Sequence, residues 1–481
     1  MSQIEVTAGP AIQAPPIRSA AVSRSNANGP LMWSLLALLV LSPLPFGSAR
    51  PFFWSFSAAY LGVVTFLYFG SLLLSGGRPR VTTTALLFPS ILCTIFVGFL
   101  VLQMLPIGDW IGAFRIENFA GAPLSSESIS IAPGATLMML LRQLAYATFF
   151  MLMLQVAANR SRRRFVLKIV LWSILLYGIY GMVSLQTGDT ILGVKKWAYL
   201  GSATGPFINR NSFATYLAFG GVVSLALFIG ELRKISMPET VGRVLVSNLF
   251  IYAITYTVLL LIVVATNSRM GLAVTLAGSL VVLLSGLIHG GARRGPVLAF
   301  LGLAGLGLAA ALLYLSPGMV DRIGSVEMDA LARTNLYQQV WEMILARPML
   351  GYGGGTFELA FPLFHRPPVD VDFIWNRSHN TYLALWSDMG LVIGSIPIVV
   401  MVYFGWRIMR TSLRNKAAGQ PSEDWLAQTV AVAVIVLSAI HSLADFSLEI
   451  QANTFVFLAL VACGASSTFQ VSQQVEPSKW Q

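Results

Sequence analysis

Apolar residues fall along this chain in long, nearly unbroken blocks, without the strict alternation of a strand or the narrow stripe of a soluble amphipathic helix. Twelve blocks can be drawn, at about 31–47, 52–76, 83–106, 135–157, 165–186, 211–231, 246–266, 268–289, 297–315, 381–406, 425–445 and 452–470. A helix needs roughly 20 apolar residues to cross the hydrocarbon core, so each block predicts a transmembrane helix. The fold class is therefore all-α, a polytopic membrane protein of about 12 spans. Residues 1–30, rich in Ala, Pro, Ser and Asn, hold no such block and predict a disordered tail. Residues 31–470 then form one membrane domain, followed by a short tail at 471–481.

Composition and charge narrow the class. Only 11% of the 481 residues are charged and 56% are hydrophobic, where soluble domains carry about 25% charged side chains. That balance excludes an ordinary soluble enzyme. The formal net charge of +11 reads as Lys and Arg retained on the cytoplasmic side against anionic lipid, rather than as a nucleic-acid surface. With a cytoplasmic N-terminus, the inside loops collect Arg78, Arg80, the run Arg160 to Lys168, Arg233, Lys234, Arg243, Arg293, Arg294, and the series Arg407 to Lys416. The short outer connections hold almost none, and an even number of spans returns the C-terminus to the same side. Cys93 and Cys463 both lie inside apolar blocks, which leaves no redox pair and no zinc framework.

The outer side carries one long connection, 316–380, and two moderate ones, 107–134 and 187–210; long loops are usually functional. Within the long one, Leu331, Leu336, Val340, Trp341, Ile344 and Leu345 recur near a helical period over 330–347, and Pro348 ends the run. This predicts an amphipathic helix that lies on the membrane face, caps a cavity or packs on neighbouring spans. Ionisable residues inside or at the ends of spans are few: Arg142, Arg210, Arg269, His379, Asp388, His441 and Asp445. Most stand toward the outer half, where burial is costly and a role is expected. An ion-coupled transporter would place such groups near mid-bilayer, so the pattern favours a site at the outer face over a transporter or flippase. Arginine is a fixed, donor-rich cation suited to phosphate oxygens, and a histidine can take a proton from an attacking hydroxyl. Together they suit transfer of a group away from a lipid diphosphate.

Four outer stretches carry a family resemblance: Asn209-Arg210-Asn211-Ser212-Phe213-Ala214, the turn Ser268-Arg269, the span from Arg333 through Trp341 to Pro348-x-x-Gly351-x-Gly353-x-Gly355-Thr356-Phe357, and His379-Asn380-Thr381-Tyr382-Leu383. In this order, with one long outer loop, they resemble the O-antigen ligase and O-antigen polymerase family of bacterial envelope proteins, from about residue 135 onward. The resemblance implies a GT-C-like glycosyltransferase of the inner membrane that uses neither metal, cofactor nor nucleotide sugar. It would move a glycan from undecaprenyl diphosphate to an acceptor sugar at the periplasmic face, with inversion. It further implies that Arg269 and Arg333 hold the diphosphate, that Arg210 lines the same entrance and that His379 is the general base. Asn211, Asn380, Tyr382, Arg142 and His441 complete the expected substrate-binding set. Arg142 is placed either to snorkel or to join the basic group, and His441 either to contact the acceptor or to bond within the fold.

Polymerases of this family resemble an arginine followed by ten residues and a glycine, which Arg210 and Gly221 match. Ligases resemble His-Asn, nine residues, Gly, two residues and Gly; His379, Asn380 and Gly390 match, but position 393 is Ile and the next glycine is Gly394. The expectation is accordingly a polymerase acting on a second lipid-linked repeat unit, with a ligase acting on lipid A core as the alternative. Two weaker signals read as structure. Gly351 to Gly355 lacks the Lys-Ser/Thr of a nucleotide loop and predicts a flexible turn. Asp370-Val371-Asp372 offers too few ligands for a metal and predicts a solvated loop. His441 and Asp445, four apart, are expected to share one face of span eleven.

Overall fold

A computed structural model describes residues 27–111, 117, 119–122, 127–233, 248–290, 302, 305, 326–418 and 424–469. Among the described residues the regular elements are helices, apart from a two-residue hairpin pairing Thr190–Ile191 with Val194–Lys195. The helices are α1 (Asn28–Leu41), α2 (Pro51–Leu74), α3 (Leu87–Met104), α4 (Gly108–Ile111), α5 (Pro133–Ala157), α6 (Arg160–Gln186) and α7 (Arg210–Leu232). They continue as α8 (Asn248–Ala265), α9 (Arg269–His289), α10 (Val326–Ala346), α11 (Phe357–Ala360), α12 (Thr381–Gly394), α13 (Ile396–Ala417), α14 (Trp425–His441) and α15 (Gln451–Ser466).

Eight of the described helices are long and apolar enough to cross a membrane: α2, α3, α5, α6, α7, α8, α9 and α13. Three expected spans are shorter apolar helices, α1, α14 and α15. Apart from residues 302 and 305, the expected span at 297–315 lies outside the described residues, as do most of the first tail and all of the second. Two boundaries differ from expectation. The first helix begins at Asn28, inside the predicted tail. The block 381–406 is two helices, because α12 breaks at Gly390 (φ 74°, ψ 168°) and Pro397 opens α13.

Proline at the first turn starts α2 and α5, where its missing N–H costs nothing. An asparagine, Asn159, caps α6 by accepting from the Arg162 N–H. Helices α7 and α15 form the centre and are almost wholly buried, whereas α2, α3 and α13 turn much of their surface outward to lipid. Small residues permit close approach at that centre, as in membrane bundles generally: a Cβ on Gly464 would collide with Ala431, and one on Gly271 with Ala214.

One set of basic residues, Arg163, Arg233 and Arg407 among them, gathers at one end of the bundle. Arg163 pairs with Asp424 and donates to Ser466 Oγ (3.2 Å), joining the start of α6 to the start of α14 and the end of α15. Arg233 lies 4.5 Å from the Trp425 ring and Arg407 4.6 Å from the Phe469 ring. The opposite end receives the starts of α7, α9 and α12, and α10 with its loop. Here Leu336, Val340, Met343 and Ile344 are fully buried against Tyr352, Phe357, Phe361 and Leu383, forming a second, smaller core. The buried stripe of α10 is thus narrower than the expected one: Leu331, Trp341 and Leu345 face outward.

The glycine run after α10 is a packed joint, where a flexible turn was expected. The Tyr352 and Gly353 N–H groups donate to the Ser387 and Asp388 carbonyls (2.9 and 3.0 Å), and Leu391 N–H donates to the Pro348 carbonyl (2.7 Å). Gln103 donates to the Leu350 and Asp388 carbonyls (both 2.9 Å) and accepts from Gly354 N–H (3.1 Å). The break at Gly390 is what exposes these helix carbonyls to the loop.

Candidate active site

Three helix N-termini open on one surface, each with a short polar residue as its cap. Asn209 accepts from the Asn211 and Ser212 N–H groups at the start of α7 (2.7 and 3.2 Å). Ser268 accepts from Gly271 N–H at the start of α9 (3.1 Å). Asn380 accepts from the Tyr382 and Leu383 N–H groups at the start of α12 (2.9 and 3.1 Å). Side-chain caps are preferred at this position because they satisfy the orphan amides. Helix N-termini also carry partial positive charge that favours anions. Arg210 and Arg269 are the first residues of their helices, directly after the caps.

The connection 442–450 ties these termini together. Asn211 donates to Asp445 and accepts from Ser268 Oγ (2.8 Å), so both ends of its amide are engaged. Thr381 N–H donates to the Ser442 carbonyl (3.0 Å), Asn380 Nδ2 to the Leu443 carbonyl (3.0 Å) and Tyr382 to the Ala439 carbonyl (2.8 Å). These donors take the carbonyls that would continue α14. The helix therefore ends at His441, and Asp445 lies in the connection rather than on a shared helix face as expected. Asp445 is 1% exposed and accepts from the Phe446 N–H (2.7 Å).

His379 is set against this carboxylate, with Nδ1 3.8 Å from Asp445 Oδ1. Its backbone is held in the left-handed region (φ 52°), an uncommon setting for a residue with a side chain. Its carbonyl accepts from the Tyr337 hydroxyl (2.8 Å), and its ring meets Phe446 (5.0 Å) and Trp375 (6.0 Å) edge-on. Burial alone would push the Asp445 carboxyl up. The facing His379 imidazole, His441 and the Phe446 N–H outweigh it and hold the group below the usual carboxylate range. Burial pushes the Tyr337 hydroxyl up to about 12, against the lowering influence of Arg333, so it remains a donor.

Arg333 stands one turn before Tyr337 on α10, within electrostatic reach of Tyr337, His441 and Tyr199. Arg210 lies 5.3 Å from the Tyr199 ring. The sequence-predicted residues Arg210, Asn211, Arg269, Arg333, His379, Asn380 and His441 are therefore brought to one surface, together with Asp445, Tyr199 and Tyr337. His441 is 1% exposed and its ring nitrogens make no hydrogen bond among the described residues. Tyr382 commits its hydroxyl to α14 and Asn380 commits its whole amide to the fold. Arg142 makes its contacts with a second polar group: it lies 4.6 Å from the Trp54 ring and donates to the Glu449 carbonyl (3.4 Å).

Tyr199 and Tyr337 carry no motif and were not singled out by the sequence. Their signal is geometric, since Tyr337 sits four residues after Arg333 and Tyr199 comes close only through the 187–209 connection.

A multi-span helical protein with an arginine-rich, histidine-bearing surface defines the class, and comparison with known families gives it a place. Residues 254–398 match the family model described as O-antigen ligase. The match supports assignment to the O-antigen ligase and polymerase family, and the family indicates a ligase- or polymerase-type function. It runs from α8 into α13 and so takes in Arg269, Arg333, His379, Asn380 and Asp388; Arg210, His441 and Asp445 lie beyond it. No curated protein matches the chain.

Proposed function

We propose that the protein is an inverting, polyprenyl-diphosphate-dependent glycosyltransferase of the inner membrane, acting at the periplasmic face as a surface-polysaccharide polymerase. The observation that carries this reading is the meeting of three capped helix N-termini, three arginines and a carboxylate-backed histidine on one surface. Arg269 and Arg333, with Arg210 at the entrance, hold the diphosphate of undecaprenyl-diphosphate glycan. The helix termini add to the same field. His379, its Nδ1 turned to Asp445, presents Nε2 to the acceptor hydroxyl. The hydroxyl oxygen attacks the anomeric carbon while its proton passes to Nε2. The bond from that carbon to the diphosphate oxygen breaks, its electron pair leaving with undecaprenyl diphosphate, and the anomeric configuration inverts. Asp445 is a positioning residue in this scheme: it orients the imidazole and balances the imidazolium that forms.

The ligase reading, transfer of finished polymer to lipid A core, is favoured by His379, Asn380 and Gly390; the polymerase reading is favoured by the Arg210 to Gly221 spacing. Gel profiling of surface polysaccharide separates them in a deletion strain complemented with wild type, His379→Ala or Arg269→Ala at matched expression. Loss of long glycan with single repeat units still attached indicates a polymerase. Loss of all attached glycan with accumulation of lipid-linked polymer indicates a ligase. Wild-type profiles from both variants would sink the site assignment.

A further inference from the structure

A second polar group lies beside the first and is used by no step above. Arg377 Nη1 meets Glu449 Oε2 at 2.6 Å, Arg142 donates to the Glu449 carbonyl, and Asp388 Oδ2 accepts from Gly355 N–H (2.7 Å). Arg142, Arg377 and Glu449 all act electrostatically on Asp388. Asp388 is 7% exposed and Arg142 5%. Several buried polar atoms of these residues, Asp388 Oδ1, Glu449 Oε1 and Arg142 Nε, and Nε2 of the nearby Gln451, have no hydrogen-bond partner among the described residues. An unpaired buried polar atom is costly, and native folds rarely gather several in one place unless a ligand meets them.

Charge balance says what kind of ligand. The first group sets Arg210, Arg269 and Arg333 against one carboxylate, Asp445, and suits an anion. The second sets Arg142 and Arg377 against two carboxyl groups, Asp388 and Glu449, which comes near charge balance and offers many donors and acceptors. That composition suits a neutral, polyhydroxylated ring, whose hydroxyls both donate to carboxylates and accept from guanidiniums. Phe446 joins the two groups: its ring touches His379 at 5.0 Å and lies 5.9 Å from the Arg377 guanidinium.

The geometry points to a carbohydrate subsite at Asp388, Glu449, Arg142 and Arg377 that binds the acceptor glycan and presents its hydroxyl past Phe446 to His379. This rests on the glycosyltransferase reading, with the diphosphate held at the other group.

The test uses full-length protein in nanodiscs, lipid-linked glycan extracted from the deletion strain as donor, and repeat-unit oligosaccharide released from that pool by mild acid as acceptor probe. Asp388→Asn is expected to raise the acceptor concentration for half-maximal transfer at least tenfold while donor retention stays within twofold of wild type. Arg269→Ala is expected to do the reverse. Glu449→Gln is the second variant and carries the test if Asp388→Asn does not fold by thermal unfolding. Half-saturation within twofold of wild type in a folded variant overturns the subsite, as does loss of donor retention in step with acceptor use. Wild-type protein that retains no lipid-linked glycan and transfers none overturns the glycosyltransferase reading, and the subsite with it.

Discussion

At the residue scale the decisive feature is a charge that the protein holds in place at some expense. Asp445 is taken almost wholly out of water, yet its carboxyl is held below the usual range by His379, His441 and the Phe446 N–H. A depressed native value means that the ionised group stabilises the fold at any pH above the ordinary carboxylate value, near 3.9. That stabilisation is lost as pH falls through the depressed value, where native and unfolded chains are both protonated. Asp445→Asn is accordingly expected to lower the thermal unfolding midpoint of purified protein at pH 7, with the gap from wild type closing as pH is taken below 4. A gap that stays constant with pH would show that the carboxylate charge is not the source. The same variant leaves His379 in place but removes the anion behind it. The transfer rate is expected to fall by about 10²-fold, with lipid-linked donor retention unchanged, because the arginines are untouched.

At the scale of elements, the motifs that resembled a family prove to be half capping and half chemistry. Asn209, Ser268 and Asn380 close helix ends, and each is followed or preceded at once by a residue of the proposed site. Short polar residues before an apolar run are readable in a sequence, so the helix starts and Arg210, Arg269 and His379 were legible together. Asp445 was not placed correctly, because the end of α14 is set by donors from α12, some 60 residues earlier, and no local pattern reports them. The α10 stripe failed for a similar reason: periodicity found the helix, but the buried side was chosen by Tyr352, Phe357 and Phe361 in its own following loop. The glycine run was misjudged because its rigidity comes from the break at Gly390. That glycine's conformation is nearly confined to glycine, and a Cβ there would meet the Pro348 carbonyl at 2.9 Å and collide with that of Met349. Gly390→Ala is expected to destabilise by about 3 kcal/mol or more, read as a lower unfolding midpoint and poor yield. Gly62→Ala, with nothing within 4 Å of the added Cβ on α2, is expected to leave both unchanged. Ser268→Ala removes a cap and the link to Asn211, for a loss of about 1 kcal/mol.

At the scale of the whole molecule the two ends of the bundle differ in kind. One end holds the basic residues around Asp424, Trp425 and Phe469; the other holds the capped helix starts and His379. Arg163, Arg233 and Arg407, which the sequence assigned to short loops on one side, do lie at one end, a grouping that retention of basic residues in short loops produces without tertiary information. Helices α14 and α15, 17 and 16 residues long, fall short of the roughly 20 needed to cross the hydrocarbon core, and the connection that joins them carries Asp445. Sidedness is open to direct measurement with single introduced cysteines. The native thiols are quiet for this purpose, since Cys463 is buried and Cys93 lies midway along α3. Ser161→Cys places an exposed thiol at the basic end and Asp372→Cys places one in the loop after α11. In cells with a permeabilised outer membrane, a membrane-impermeant maleimide is expected to label position 372 at once and position 161 only after lysis. The opposite order would put His379 and its arginines on the cytoplasmic side and overturn the proposed periplasmic site.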